Sequence, residues 1–116
     1  MKEILDDLNR QEGILGSMVI TPDGIMVAAA LGPDLEEDRV AAIVSSLLVA
    51  VRRCLTELKA PHGLTSCSLT AREGKILFFD TRNCFLVVVA EGETKLDSEV
   101  KSIQGAIDRI KNRRVA

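Results

Sequence analysis

The residues best able to carry out acid–base or metal chemistry are few and widely spaced. The one histidine, His62, lies between a proline and a glycine in a predicted loop, and no serine or cysteine nucleophile motif accompanies it. A nucleophile needs a base within hydrogen-bonding reach, and nothing here predicts such a pair. One histidine with dispersed cysteines also lacks the ligand spacing of a zinc site. The sequence therefore predicts no catalytic residues and no metal site.

The three cysteines are predicted to have structural roles. They form no Cys-x-x-Cys pair, their odd number argues against a disulfide framework, and each lies among apolar residues: Cys54, Cys67 and Cys84. Buried thiols that act as small hydrophobic side chains are the expected outcome.

Glycine patterns that hold phosphates are missing as well. Gly74-Lys75 resembles the end of a phosphate-binding loop, but Leu69 stands where the first glycine is required. Gly13 and Gly16 precede or enter a predicted strand and do not open a helix, so a dinucleotide-binding turn is excluded. We therefore expect no cofactor and no enzymatic activity.

Composition and charge narrow the remaining classes of function. The chain has 116 residues, which suits a single domain over 1–116, and 47% of them are apolar, which predicts a packed core. Aromatic residues make up only 3% and the net charge is −2, so binding to nucleic acid is not expected.

A basic cluster at residues 109–114 closes the last predicted helix, where cations complement the helix dipole. No signal peptide and no apolar run of membrane-spanning length are evident, so we expect a soluble cytoplasmic protein without membrane insertion.

Hydrophobic periodicity and turn residues predict eight secondary-structure elements. The predicted order is α-β-β-α-β-β-β-α, with helices at 2–11, 34–59 and from 94 onward, and strands at 14–20, 25–30, 64–71, 75–80 and 84–90. Asp34 and Thr94 are the predicted N-caps of the second and third helices, and in the turn at 21–24 Gly24 is expected to adopt a positive φ. The turns between the last three strands are too short for parallel crossovers, so one antiparallel sheet is expected. The last strand is apolar on both faces and should be central, whereas the polar alternation at 65–70 indicates an edge strand.

The second helix carries more apolar surface than one sheet face needs. A stripe predicted to pack on the sheet contains Val40, Val44, Leu47, Val51, Leu55 and Leu58. On the opposite side, Ala42 and Val49 lie near Ser45 and Ser46, and no charge occurs between Arg39 and Arg52. Simple tolerance of small surface residues is one interpretation. A second buried interface, with two copies of the helix packed together, is the interpretation that we favour, because the uncharged window spans three turns.

The element order, the hairpin at 18–25, the Ala- and Ser-rich second helix and the final Leu-Val-Val-Val strand together resemble the Roadblock family over essentially the whole chain. This family includes dynein light chains, lysosomal scaffold subunits and bacterial regulators of a Ras-like GTPase. The resemblance implies an α/β (α+β), profilin-like fold with strand order 2-1-5-4-3, the first and last helices on one face and the second helix on the other. It also implies dimers formed through the second helix and the third strand.

These considerations predict a non-catalytic module that forms a homodimer and regulates or scaffolds a Ras-like small GTPase. The predicted partner and dimer interface comprises Ala42, Ser45, Ser46, Val49, Arg52, Arg53, Ser66 and Ser68. A structural adaptor without effect on nucleotide turnover remains an alternative, and a small-molecule sensor is a weaker one.

Overall fold

One five-stranded antiparallel sheet organises the chain, with helices on both of its faces. The structure is a computed structural model, and it describes residues 1–59, 63–92 and 96–113. In chain order the elements are α1 (Lys2–Asn9), β1 (Ile14–Ile20), β2 (Met26–Leu31), α2 (Glu37–Glu57), β3 (Ser66–Thr70), β4 (Gly74–Asp80), β5 (Phe85–Glu91) and α3 (Leu96–Arg113). The predicted element order is confirmed.

The strand order β2-β1-β5-β4-β3 is the one that the sequence resemblance implied. β5 lies in the centre and pairs with β1 and β4, and its Val87 and Val88 side chains are fully buried on opposite faces of the sheet. β2 and β3 are the two edge strands. Both the central position of β5 and the edge position of β3 were predicted from their patterns of apolar residues, and both are confirmed.

Two aliphatic cores lie on the two faces of the sheet. On one face, α1 and α3 pack on β1 and β5 through residues such as Leu5, Leu86 and Ile110. On the other face, α2 packs through Val44 and Leu48 onto a second buried cluster. The predicted placement of the first and last helices on one face and the second helix on the other is confirmed.

A short polar network joins α1 to the sheet within the first core. The fully buried Ser17 hydroxyl donates to Oδ1 of Asn9 at 2.8 Å, and Nδ2 of Asn9 donates to the carbonyl oxygen of Ala30 at 2.6 Å. One asparagine thus provides an acceptor for a buried hydroxyl and binds a second strand.

The boundaries of α2 differ from the prediction. Asp34 was expected to cap the helix, but the helix begins at Glu37, and Glu36 is its N-cap without a side-chain hydrogen bond. The prediction was wrong because the Leu35 amide donates to the Gly32 carbonyl at 3.1 Å, which places Asp34 inside a tight turn. At the other end, Lys59 adopts a φ of 58°, a left-handed conformation that does not continue a helix.

Three residues considered in the sequence lie outside the described residues: His62, Thr94, which was predicted to cap the last helix, and Arg114 of the basic cluster.

Candidate protein-interaction surface

The side of α2 that packs on the sheet is rotated relative to the predicted stripe. Val44 and Leu48 are its two buried residues, and Leu48 was not part of the prediction. Leu58, expected in the core, is 71% exposed, and Leu47 is only half-buried. The rotation turns part of the predicted core stripe outward and exposes apolar side chains on one flank of the helix.

This flank is apolar or small along its whole length, and we call it the uncharged flank. Its members recur at helical spacing on the side of α2 away from the β1–β2 turn: Ile43, Leu47, Ala50, Cys54 and Leu58. Ile43 is 54% exposed, and Leu58 is the most exposed large hydrophobic residue of the described chain. Such a continuous exposed apolar strip on a helix is typical of an interaction site.

An apolar corner of the sheet is also left open, on the face that carries α2. The pairing register aligns Leu69 of β3, Ile76 of β4 and Val89 of β5, and Leu15 of β1 completes the row. These four residues, the open corner, line a depression of about 420 Å³ to which α2 contributes no residue. Leu15 and Leu69 are each 42% exposed. The open corner lies at the end of the sheet opposite the β1–β2 turn.

The opposite flank of α2 binds the β1–β2 turn, and we call Ser45, Val49 and Arg52 the hairpin flank. The Ser45 hydroxyl donates to the Gly24 carbonyl at 2.8 Å, and Nη1 of Arg52 donates to the Pro22 carbonyl at 2.9 Å. Val49 lies between these residues along the helix and is 47% exposed. These hydrogen bonds account for the rotation of α2, because they hold the hairpin flank against the turn.

The turn itself needs a glycine for two reasons. Gly24 has a φ of 89°, as the turn pattern predicted, and a Cβ atom built on it would lie 2.8 Å from the Cβ of Ser45. Gly24 therefore allows both the turn and its close approach to α2.

The predicted interface residues fall into three groups. Ala42, Ser46 and Arg53 are exposed on the outer side of α2, where the Ser46 hydroxyl donates to the Ala42 carbonyl at 3.0 Å. Ser45, Val49 and Arg52 form the hairpin flank, where Ser45 and Arg52 already have partners within the chain. Ser66 and Ser68 are exposed on β3, in register with Phe79 and Leu77, which belong to the α1–α3 face or pack against it. Any contribution of these two serines to a contact on the α2 face would come from their main chain.

The sequence reasoning missed Ile43, Ala50 and Leu69, and it assigned the exposed Leu58 to the core. Leu47, also assigned to the core, is half-buried and does pack against the cluster on the α2 face. The sequence pattern that could have identified the missed residues of α2 is the uncharged flank, a second row of apolar residues on α2. It is offset from the predicted core stripe by less than a quarter turn of the helix. Periodicity alone does not show which of two adjacent rows faces the sheet, because the choice depends on the distant turn at Gly24.

The described residues offer little for bond-making chemistry. Within them, no group of three or more His, Cys, Asp or Glu side chains is placed to hold a metal ion. Cys84 is buried, Cys67 is half-buried and Cys54 is exposed, so the expectation of buried thiols is wrong for Cys54, which lies on the uncharged flank. No helix in the described ranges is long and apolar enough to cross a membrane.

Comparisons with known proteins agree with this architecture. An uncharacterized protein of Methanocaldococcus jannaschii is 31% identical over 108 residues, which cover 93% of this chain and 91% of that protein. Among solved structures, a Roadblock/LC7 domain from Streptomyces avermitilis superposes with a TM-score of 0.85 at 13% identity, covering 100% of this chain and 98% of that one. Myxococcus xanthus MglB gives 0.82 at 13% identity, covering 95% and 90% of the two chains.

A profilin, Acanthamoeba castellanii profilin IB, gives a TM-score of 0.65 at 12% identity with 94% of both chains covered, so the fold is profilin-like as expected. The model of the Roadblock/LC7 domain family matches residues 1–90, from α1 to the penultimate residue of β5. The chain belongs to the Roadblock/LC7 family.

Proposed function

We propose that the chain is a non-catalytic, cytoplasmic, dimeric protein-binding module that regulates or scaffolds a Ras-like small GTPase. The observation that supports it most is the exposed apolar side chains of the uncharged flank of α2, to which the open corner of the sheet adds a second apolar area. Full burial of one exposed Leu or Ile side chain is worth about 1.5–3 kcal/mol, so the burial of several such side chains favours a protein partner.

A second copy of the chain fits this surface by symmetry. If β3 pairs with its own copy around a two-fold axis perpendicular to the sheet, the strands run antiparallel and both α2 helices stay on the same face. β3 has an open edge in the described structure because it pairs only with β4. The uncharged flank has no like charges to bring together, so self-packing meets no electrostatic penalty. The two sheets would become continuous across the axis.

The GTPase partner is supported by membership of the family, which includes bacterial regulators that act on a Ras-like GTPase. The two α2 helices of such a dimer would present one broad surface large enough for a globular partner. The scarcity of acid–base and metal-binding groups supports a role in which the chain binds the GTPase and does not itself carry out hydrolysis.

The test is to mix the purified chain with a Ras-like GTPase encoded in the same genome, loaded with GDP or with a non-hydrolysable GTP analogue. Binding is measured by calorimetry, and GTP hydrolysis is followed with and without the chain. We expect a complex containing two copies of the chain and no hydrolysis by the chain alone. A changed hydrolysis rate identifies a regulator, and an unchanged rate identifies a scaffold. Absence of binding in both nucleotide states contradicts the proposal.

A further inference from the structure

The open edge of β3 lacks the features that commonly keep a sheet edge from pairing with another chain. Residues 64–71 contain neither a charged residue nor a proline, and the side chains of the strand are exposed or half-buried. Charges, prolines and bulges are the usual means of protecting an edge strand. The pairing of β3 with β4 is regular from Ser66 to Thr70, without a bulge. β3 is therefore a continuous template for a further strand.

Two hydrogen bonds at the ends of the β3–β4 pair show which main-chain groups of β3 face outward. The Ala71 amide donates to the Gly74 carbonyl at 2.8 Å, and the Asp80 amide donates to the Thr65 carbonyl at 2.8 Å. In an antiparallel pair, hydrogen-bonded and non-hydrogen-bonded residue pairs alternate along the strand. The odd-numbered residues of β3 therefore direct their N–H and C=O groups towards β4. The even-numbered residues direct theirs towards the open edge: Ser66, Ser68 and Thr70.

The side chains of β3 alternate in the same way, with hydroxyls on one face and apolar groups on the other. Cys67 packs against the buried cluster under α2, and Leu69 is in register with Ile76, which packs against the same cluster, so both face α2. The hydroxyl-bearing residues face the side of α1 and α3. From Ser68 the pattern reads the same in both directions: hydroxyl, apolar, hydroxyl, apolar, hydroxyl. A strand with this pattern is complementary to an antiparallel copy of itself.

The position of the two-fold axis decides how many of the outward-facing groups find partners. With the axis at Ser68, that residue lies opposite the partner's Ser68, and each Ser66 lies opposite the partner's Thr70. All three residue pairs then join outward-facing residues, and each pair exchanges two main-chain hydrogen bonds. An axis at Cys67 or at Leu69 keeps only two such pairs within the strand. The axis at Ser68 also places Cys67 beside the partner's Leu69, which covers a side chain that is 42% exposed.

We propose that β3 pairs with β3 of a second copy in one register, with Ser68 opposite the partner's Ser68 on the two-fold axis. The main-chain groups of Ser66, Ser68 and Thr70 join the two sheets, and on the α2 face Cys67 packs against the partner's Leu69. The inference rests on the proposed function in taking a second copy as the occupant of this edge. It adds which residues of the two copies face each other.

Disulfide cross-linking measures this register, because a disulfide needs its two Cα atoms about 4.4–6.8 Å apart. Directly opposite residues of an antiparallel pair lie about 4.5–5.5 Å apart, and diagonal neighbours about 7–8 Å apart. Every variant carries Cys54→Ser, since Cys54 is exposed, whereas Cys84 is buried and is kept. Each protein is incubated with oxidised glutathione, and the covalent dimer is quantified on a non-reducing gel.

Leu69→Cys introduces a thiol opposite the partner's Cys67 and should convert most of the protein to a covalent dimer. The background Cys54→Ser should give at least about tenfold less, because each Cys67 lies diagonal to the partner's Cys67. Leu69→Cys combined with Cys67→Ser should give equally little, since the two introduced thiols are also diagonal. Ser68→Cys combined with Cys67→Ser should cross-link, because position 68 lies on the axis, and this variant keeps Leu69.

The molar mass of the Cys54→Ser protein before oxidation, from sedimentation equilibrium, separates this inference from the proposed function. Efficient cross-linking of Cys54→Ser alone places the axis at Cys67, and efficient cross-linking of Cys67→Ser with Leu69→Cys places it at Leu69. Either result overturns the inference. A mass of two chains without cross-linking at position 68 or 69 also overturns it and leaves the proposed function intact. A mass of one chain overturns both.

Discussion

At the residue scale, the interaction surface depends on side chains whose partners are distant in sequence. Gly24, Ser45 and Arg52 set the distance between the β1–β2 turn and α2, although 21 residues separate the first two. On the other face of the sheet, Asn9 satisfies the buried Ser17 hydroxyl and binds β2. Both sets are small polar contacts that fix where a helix lies on the sheet.

Replacement of Gly24 by alanine tests the close approach of the turn to α2. The new Cβ would meet Ser45 at 2.8 Å, and the φ of 89° is unfavourable for alanine. We expect the free energy of unfolding to fall by about 1–3 kcal/mol, measured by urea denaturation. Gly63→Ala is the matched control, since Gly63 has a φ of 73° but no atom within 4 Å of the position that a Cβ would take. An equal loss for both variants would show that backbone strain alone, and not the contact with Ser45, explains the effect.

Replacement of Asn9 by alanine tests the polar network between α1 and the sheet. The buried Ser17 hydroxyl would lose its 2.8 Å acceptor and keep only the Leu5 carbonyl at 3.5 Å. We expect a loss of about 1–3 kcal/mol in the free energy of unfolding, because an unsatisfied buried hydroxyl costs that much. The double variant Asn9→Ala/Ser17→Ala should be less destabilised than the sum of the single variants. Strict additivity would argue against a direct interaction between the two side chains.

At the scale of elements, the sequence was informative where the signal is local. The bounds of β1 match the prediction at both ends, since Gly13 and the turn at Thr21–Gly24 delimit it. Strand order followed from the family resemblance, and the apolar character of β5 predicted its central place. The start of α2 was misplaced because Asp34 resembles a cap but lies in a turn.

The orientation of α2 could not be predicted from its own residues. Two adjacent apolar rows share the helix, and the choice between them is made by hydrogen bonds from Ser45 and Arg52 to the distant turn. The uncharged window of α2 correctly drew attention to this helix as a surface element. It did not identify Ile43 or Leu58 as the exposed apolar residues, nor the open corner at Leu69, which exists only once the strands are in register.

Replacement of Ile43 by arginine tests the division of α2 into two flanks. Ile43 is 54% exposed, so Ile43→Arg should leave the fold intact while placing a charge in the uncharged flank. We expect self-association to weaken by about 100-fold or more, because an unpaired charge would be buried on dimerisation. Val49→Arg, the same kind of change on the hairpin flank, should leave the oligomeric state unchanged. Sedimentation velocity measures both, and a dimer that survives Ile43→Arg would place the self-association surface elsewhere.

At the scale of the whole molecule, the two edges of the sheet differ from each other, and so do the two flanks of α2. β3 and β2 are the two edges of the sheet, and the hairpin flank of α2 is bound to the β1–β2 turn, away from the β3 edge. A dimer through the β3 edge would leave two copies of the hairpin flank available, one on each chain. A symmetric dimer of this kind can therefore present the hairpin flank twice.

The molar mass of the unchanged chain in solution tests the central claim most directly, because the proposed function assumes that the uncharged flank is covered by a second copy. Sedimentation equilibrium over a range of micromolar concentrations gives this mass without any assumption about shape. We predict a mass of twice the 12.6 kDa of one chain. A mass of one chain throughout that range would contradict the account.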